Sequence, residues 1–186
     1  GDGHPLVFVH GHALDSRMWI GQIEALARLY TVVRYDLRGH GQSGTPPSGY
    51  SRAHYAVELG ALIQHLGLTK PSLVGHSLGG AIVLEYAKGH SEQIASLTLA
   101  DAGLEGQVHS ERFVEVVTKQ KELLRSEGVS TKFLRAALVS PLFDGVRKSE
   151  DHRNLVRSML SSWSGASWLD TAVYPDPPKL HIEILP

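Results

Sequence analysis

The chain has 186 residues, 42% hydrophobic and 20% charged, with a formal net charge of −1 and no cysteine. That suits one globular domain with a sizeable core, and it speaks against a nucleic-acid or acidic-membrane surface, disulfides and thiolate metal sites. No apolar run approaches the ~20 residues of a membrane span, and Gly1-Asp-Gly-His-Pro5 is no signal peptide, so a cytoplasmic protein is expected.

Pro5-Leu-Val-Phe-Val-His10 is a continuous apolar run, as for a strand buried on both faces. Gly11 ends it. Trp19, Ile23, Leu26, Ala27 and Tyr30 then form a helical stripe, with Asp15 or Ser16 as its N-cap. Thr31-Val-Val-Arg-Tyr-Asp36 is a β-branched second strand. Arg38 to Gly49 is a loop dense in glycine and proline. In it His40 reads as part of a surface loop that Asp36 and Arg38 brace. A helix from Ser51 to Leu66 puts Tyr55, Leu59, Leu62, Ile63 and Leu66 on one face and stops at Gly67. Leu73-Val74 lies in a third strand, and Ala81 to Ala87 in the helix after it. Ile94 to Asp101 is a fourth strand with Asp101 at its end. Strands alternating with helices predict an α/β fold: an open, mostly parallel sheet with helices on both faces.

The pattern changes after Asp101. Phe113, Val116, Val117, Leu123 and Leu124 mark one helix, and Lys132 to Val139 and Asn154 to Leu160 mark others. Trp163 and Trp168 follow. A helical insertion after a strand end fits a cap over the C-terminal edge of the sheet, where open α/β folds bind ligands. Pro175-Asp-Pro-Pro178 reads as a rigid linker. Leu180 to Leu185 begins a further strand. The division is therefore core 1–101, helical cap 102–178 and the start of another core strand at 179–186.

Gly75-His-Ser-Leu-Gly79 falls between the third strand and its helix. A G-x-S-x-G turn in that setting forces its serine into a strained conformation with the hydroxyl exposed. Glycines flank it because a Cβ there would strike the neighbouring strand or helix. The competing reading of Ser77 is an ordinary helix N-cap.

Three stretches line up: Val9-His-Gly-His-Ala-Leu-Asp-Ser-Arg-Met-Trp19, Tyr35-Asp-Leu-Arg-Gly-His-Gly-Gln-Ser43 and Val74-Gly-His-Ser-Leu-Gly-Gly80. In this order and spacing they resemble the α/β-hydrolase superfamily, in its serine esterase, lactonase and perhydrolase-like branch. The resemblance covers the first hundred residues or so closely. It implies that Ser77 is the nucleophile and that the Leu78 and His12 backbone N–H groups form the oxyanion hole. Asp101 holds a strand-end position used for the acid in some relatives; its plainer reading is a cap for the next turn. His10 reads as structural, His76 as packed beside the nucleophile. The His12 side chain would line the acyl pocket, with a stand-in base as its less favoured role. No cofactor and no metal site is expected.

By the same resemblance the general base is a histidine after the last strand, a stretch not found here. The chain also starts without methionine. A chain truncated at both ends is therefore expected, with unpaired sheet edges that invite a homo-oligomer. The implied activity is cleavage of a small-molecule carboxylic ester or lactone through an acyl-enzyme on Ser77. Alternatives are a non-catalytic binder or inactive fragment of the fold, and a C–C hydrolase or perhydrolase on the same scaffold.

Overall fold

Each of the four apolar runs of the first half becomes a strand. In a computed structural model, which describes residues 2–104 and 106–170, these are β1 (Pro5–Val9), β2 (Thr31–Arg34), β3 (Ser72–His76) and β4 (Ser96–Ala100). They form one parallel sheet in the order β2-β1-β3-β4, with Val7 beside both Val33 and Leu73, and Leu73 beside Leu97. The chain moves outward to one side from β1 to β2 and to the other from β3 to β4. The switch point lies between β1 and β3, so a crevice opens at their C-terminal ends. His12 follows one of these strands and Ser77 the other.

Helix α2 (Arg52–His65) and helix α3 (Leu78–His90) cover one face. Tyr55, Leu59, Ile82 and Val83 pack there against Val7, Val9 and Leu73. On the opposite face Trp19 lies on Phe8, ring centroids 5.0 Å apart. The stripe from Trp19 to Tyr30 was expected to be one helix. Instead Asp15 caps a 3-10 turn, Ser16–Trp19, and α1 (Ile20–Leu26) follows. No residue of α1 is buried, so it lacks the packed face that lengthens a helix.

Beyond β4 the described chain is helical: α4 (Glu111–Glu127), α5 (Thr131–Leu138), a 3-10 segment Pro141–Lys148, α6 (Glu150–Ser162) and α7 (Ala166–Leu169). Ser110, Ser130 and Ser149 cap α4, α5 and α6 through their hydroxyls, each accepting a backbone N–H. Ser140 does the same for the 3-10 segment, whose first residue is Pro141. This layer has its own core, in which Leu124, Phe133, Met159, Leu160 and Trp163 bury against Ala13 and Leu14 of the loop after β1. The cap is thus seated directly on the loop carrying His12. The linker and strand expected at Pro175–Pro178 and Leu180–Leu185 lie outside the described residues.

Candidate active site

β3 delivers the chain to Ser77 at φ 51°, ψ −113°, a conformation that costs a side-chain-bearing residue roughly 1–3 kcal/mol. The turn is tied down on both sides. The Ser77 N–H bonds the Ala100 carbonyl at 3.0 Å, and the Ala81 N–H bonds the Ser77 carbonyl at 3.1 Å. A Cβ on Gly75 would strike the Gly79 carbonyl, and one on Gly79 the Val9 carbonyl. Ser77 stands where an N-cap would stand, yet its hydroxyl makes no capping bond to α3. The plain N-cap reading therefore fails, and the hydroxyl is left for other work.

Ser77 opens into a cavity of about 280 Å³. Its floor comes from the strand ends: His12, Ala13, His76, Ser77 and Asp101. Its roof comes from the cap, including Phe113, Val117, Phe133, Leu160 and Trp168. The structure thus gathers Ser77, His12 and Asp101 at one place. Leu78 is the first residue of α3, where helix N–H groups lack intrahelical acceptors. Among the described residues neither the His12 nor the Leu78 N–H bonds another backbone group. A larger groove, about 730 Å³, lies between α2 and α3 and contains none of these residues.

Four histidines surround this floor, and they differ. His10 is fully buried; its Nε2 accepts the Leu37 N–H at 2.9 Å and its Nδ1 donates to the Gly11 carbonyl at 2.8 Å. It joins two loops, as a structural residue should. His40 was read as part of a surface loop, and the structure corrects this: it is fully buried. Its Nε2 accepts the Ala13 N–H at 3.2 Å and its Nδ1 donates to the Arg38 carbonyl at 2.9 Å. The glycine-rich loop folds inward beneath the cap rather than out to solvent. Gly39 shows this, its carbonyl accepting both the Ser164 N–H and the Ser164 hydroxyl. Burial, and then the neighbouring His10, push the His40 pKa down to about 3. His40 therefore holds the loop after β1 as a neutral imidazole, with Ala13 at φ 59°.

His12 stacks on Trp168, centroids 4.9 Å apart, and meets Trp163 edge-on at 5.0 Å. Burial, then His40 and Lys121, hold its pKa well below the ordinary histidine value. Such an imidazole is a poor proton acceptor. Burial also lowers the His76 pKa, and its Nδ1 has no hydrogen-bond partner among the described residues. Asp101, also at positive φ, is exposed at the cavity edge. The turn after it is closed by a backbone bond, Gly103 N–H to Ser77 O at 3.4 Å. The expected bracing is present: Asp36 accepts the Ser16 and Gln42 N–H groups at 2.8 Å each, and Arg38 pairs with Glu58. Among the described residues no group of three or more potential metal ligands assembles. No helix among them is long and apolar enough to cross a membrane.

Three cavity residues escape the sequence reading, Leu142 and Phe143 of the 3-10 segment and Gln120; the last is on a helix that was expected. Gln120 sits on the apolar stripe of α4, seven residues after Phe113 and three after Val117. The helical period would have placed it inward.

Comparison with known proteins agrees with this architecture. The alpha/beta hydrolase fold family matches residues 4–149, and the chain belongs to it. A non-heme haloperoxidase of Rhodococcus erythropolis is 42% identical over 91 residues, 48% of this chain and 33% of that protein. A bromoperoxidase from Bacillus anthracis superposes with a TM-score of 0.77 at 28% identity, covering 91% of this chain and 65% of that one. A thermophilic esterase from Thermogutta terrifontis gives 0.74 at 27% identity, covering 90% and 61%. The chain thus spans less than two thirds of each.

Proposed function

We propose that this chain carries the nucleophile and acyl pocket of a serine hydrolase acting on a carboxylic ester or lactone. The observation that carries the proposal is Ser77 itself: held at positive φ, uncapped, and opening into the cavity under the helical cap. The esterase among the structural relatives supports the substrate class. Ser77 Oγ adds to the carbonyl carbon as its proton passes to a base. The His12 and Leu78 N–H groups stabilise the oxyanion, and losing one such donor costs on the order of 3 kcal/mol in the transition state. The alcohol leaves with that proton, or the lactone opens, and water then cleaves the acyl-enzyme. His12 and His76 are poorly suited as the base because burial lowers both pKa values. We therefore assign the base outside the described residues. Asp101 is a candidate acid beside it.

A fluorophosphonate probe tests the nucleophile directly. Ser77 should label stoichiometrically and Ser77→Ala not at all, with unchanged circular dichroism. Together with the segment that carries the base, the protein should also hydrolyse short p-nitrophenyl esters or lactones. Absence of labelling in a folded protein would favour a non-catalytic binder. The two peroxidase-named relatives favour one second reading, perhydrolysis, in which hydrogen peroxide replaces water as the acceptor. Peroxyacid formation on adding peroxide would establish it. Epoxide opening is disfavoured, since relatives of that kind place an aspartate where this chain has Ser77.

A further inference from the structure

The cavity that holds Ser77 shares a wall with a second, outer one. Phe113 of α4 and Leu142 of the 3-10 segment line both. The outer cavity, about 230 Å³, contains none of the floor residues; Ser110, Val116 and Ser140 are among its other walls. Each shared residue is fixed from behind. The Phe113 N–H donates to the Ser110 hydroxyl at 3.2 Å, and the Leu142 N–H to the Ser140 hydroxyl at 3.3 Å. The His109 ring also stacks on Phe113, centroids 4.4 Å apart. Two helix starts thus place one aromatic and one branched side chain between the cavities. The inner volume is limited: at roughly 30 Å³ for each water-sized group, 280 Å³ holds about nine heavy atoms, the size of an octanoyl group. Every residue that the cap contributes to this lining is apolar or aromatic except Gln120, and no lysine or arginine lines it. Such a pocket suits a hydrocarbon chain and gives an anionic tail no cationic partner.

We propose that Phe113 and Leu142 are specificity-determining residues, a partition that ends the acyl pocket and selects uncharged acyl groups of up to about eight carbons. Longer chains are rejected because they meet this wall, and cutting it joins the pocket to the outer cavity. The inference rests on Ser77 being the nucleophile of an ester or lactone hydrolase whose acyl group occupies the inner cavity.

Binding tests it independently of turnover. Ser77→Ala protein is titrated with methyl butanoate, hexanoate, octanoate, decanoate and dodecanoate, each below its solubility limit, followed by tryptophan fluorescence. Affinity should rise about fourfold per added methylene as far as octanoate and level off beyond it. Monomethyl octanedioate, of the same length with a carboxylate at its end, should bind on the order of tenfold more weakly than methyl octanoate. Adding Phe113→Ala should carry the rise through dodecanoate. Val116 lines only the outer cavity, so Val116→Phe on that background should restore the break. Leu142→Ala, at a half-exposed site, replaces Phe113→Ala if the latter lacks a native near-ultraviolet spectrum. A rise through dodecanoate with the wall intact, a break that survives truncation, an extension that Val116→Phe leaves in place, equal binding of the charged ester, or no binding of any ester would overturn the proposal. Fluorophosphonate labelling of the unmutated protein separates the two readings. A break at octanoate without labelling of Ser77 refutes the hydrolase and leaves the partition standing. Labelling without a break refutes the partition alone.

Discussion

Ser77 holds a backbone conformation that disfavours every side chain, and the fold supplies the counterweight through Gly75, Gly79 and the Ala100 carbonyl. That much was legible, because the motif lists the residues whose Cβ atoms would collide. His40 was not legible. A histidine between two glycines reads as exposed until tertiary packing buries it, and its two hydrogen bonds reach residues on separate loops. The consequence is a pH dependence. With a native pKa of about 3 against 6.5 unfolded, His40 resists protonation in the fold but accepts it in the unfolded chain. The unfolded state then binds more protons, so its contribution is complete above pH 6.5 and drains as pH falls toward 3. His10, also lowered by burial, acts in the same direction. Between pH 6.5 and about 5, ordinary carboxylates are still largely ionised. In that window urea midpoints should fall steadily for the wild type and less steeply for His40→Gln. Parallel slopes would show that His40 does not carry the effect.

At the level of elements, serines do two opposite jobs. Ser130 accepts the Phe133 N–H at 3.1 Å and so starts α5, placing Phe133 over the cavity. Ser77 precedes α3 and caps nothing. Ser130→Ala should therefore cost about 1 kcal/mol of stability in denaturant titrations. Ser77→Ala should cost far less while abolishing probe labelling. Equal losses would mean that the Ser77 hydroxyl supports the fold. The helices beyond β4 were legible as apolar stripes, and α4, α5 and α6 each start after a capping serine. The segment Pro141–Lys148 was missed, since a 3-10 run offers no 3.6-residue period to detect. Gln120 was missed for a related reason. A polar residue on an apolar stripe looks like an interruption until the facing surface is a cavity.

Across the whole molecule, the sheet shows where the fold is least protected. β2 and β4 are its outer strands, and among the described residues neither has a partner on its far side. β4 is the more open: Ser96, Thr98 and Leu99 are exposed, Leu99 at 41%. Helix α1 buries no residue, and Ile20 and Leu29 around it are exposed. Parallel strands usually lie under helices on both faces, so a half-covered apolar edge is a site for pairing with another chain. The strands were readable from their apolar runs and the elbow from its G-x-S-x-G motif, because those are local; the order β2-β1-β3-β4 was not read. Unpaired edges were expected only from the family resemblance, since pairing joins residues distant in sequence, and the observation extends only to the described residues. This 186-residue polypeptide should therefore associate through the β4 edge. Light scattering behind size exclusion should give a mass above the 20.3 kDa of one chain and rising with concentration. Leu99→Lys, placing a charge on that strand, should shift the mass downward without loss of circular dichroism. A sharp monomer at every concentration would show that the edge is self-protected.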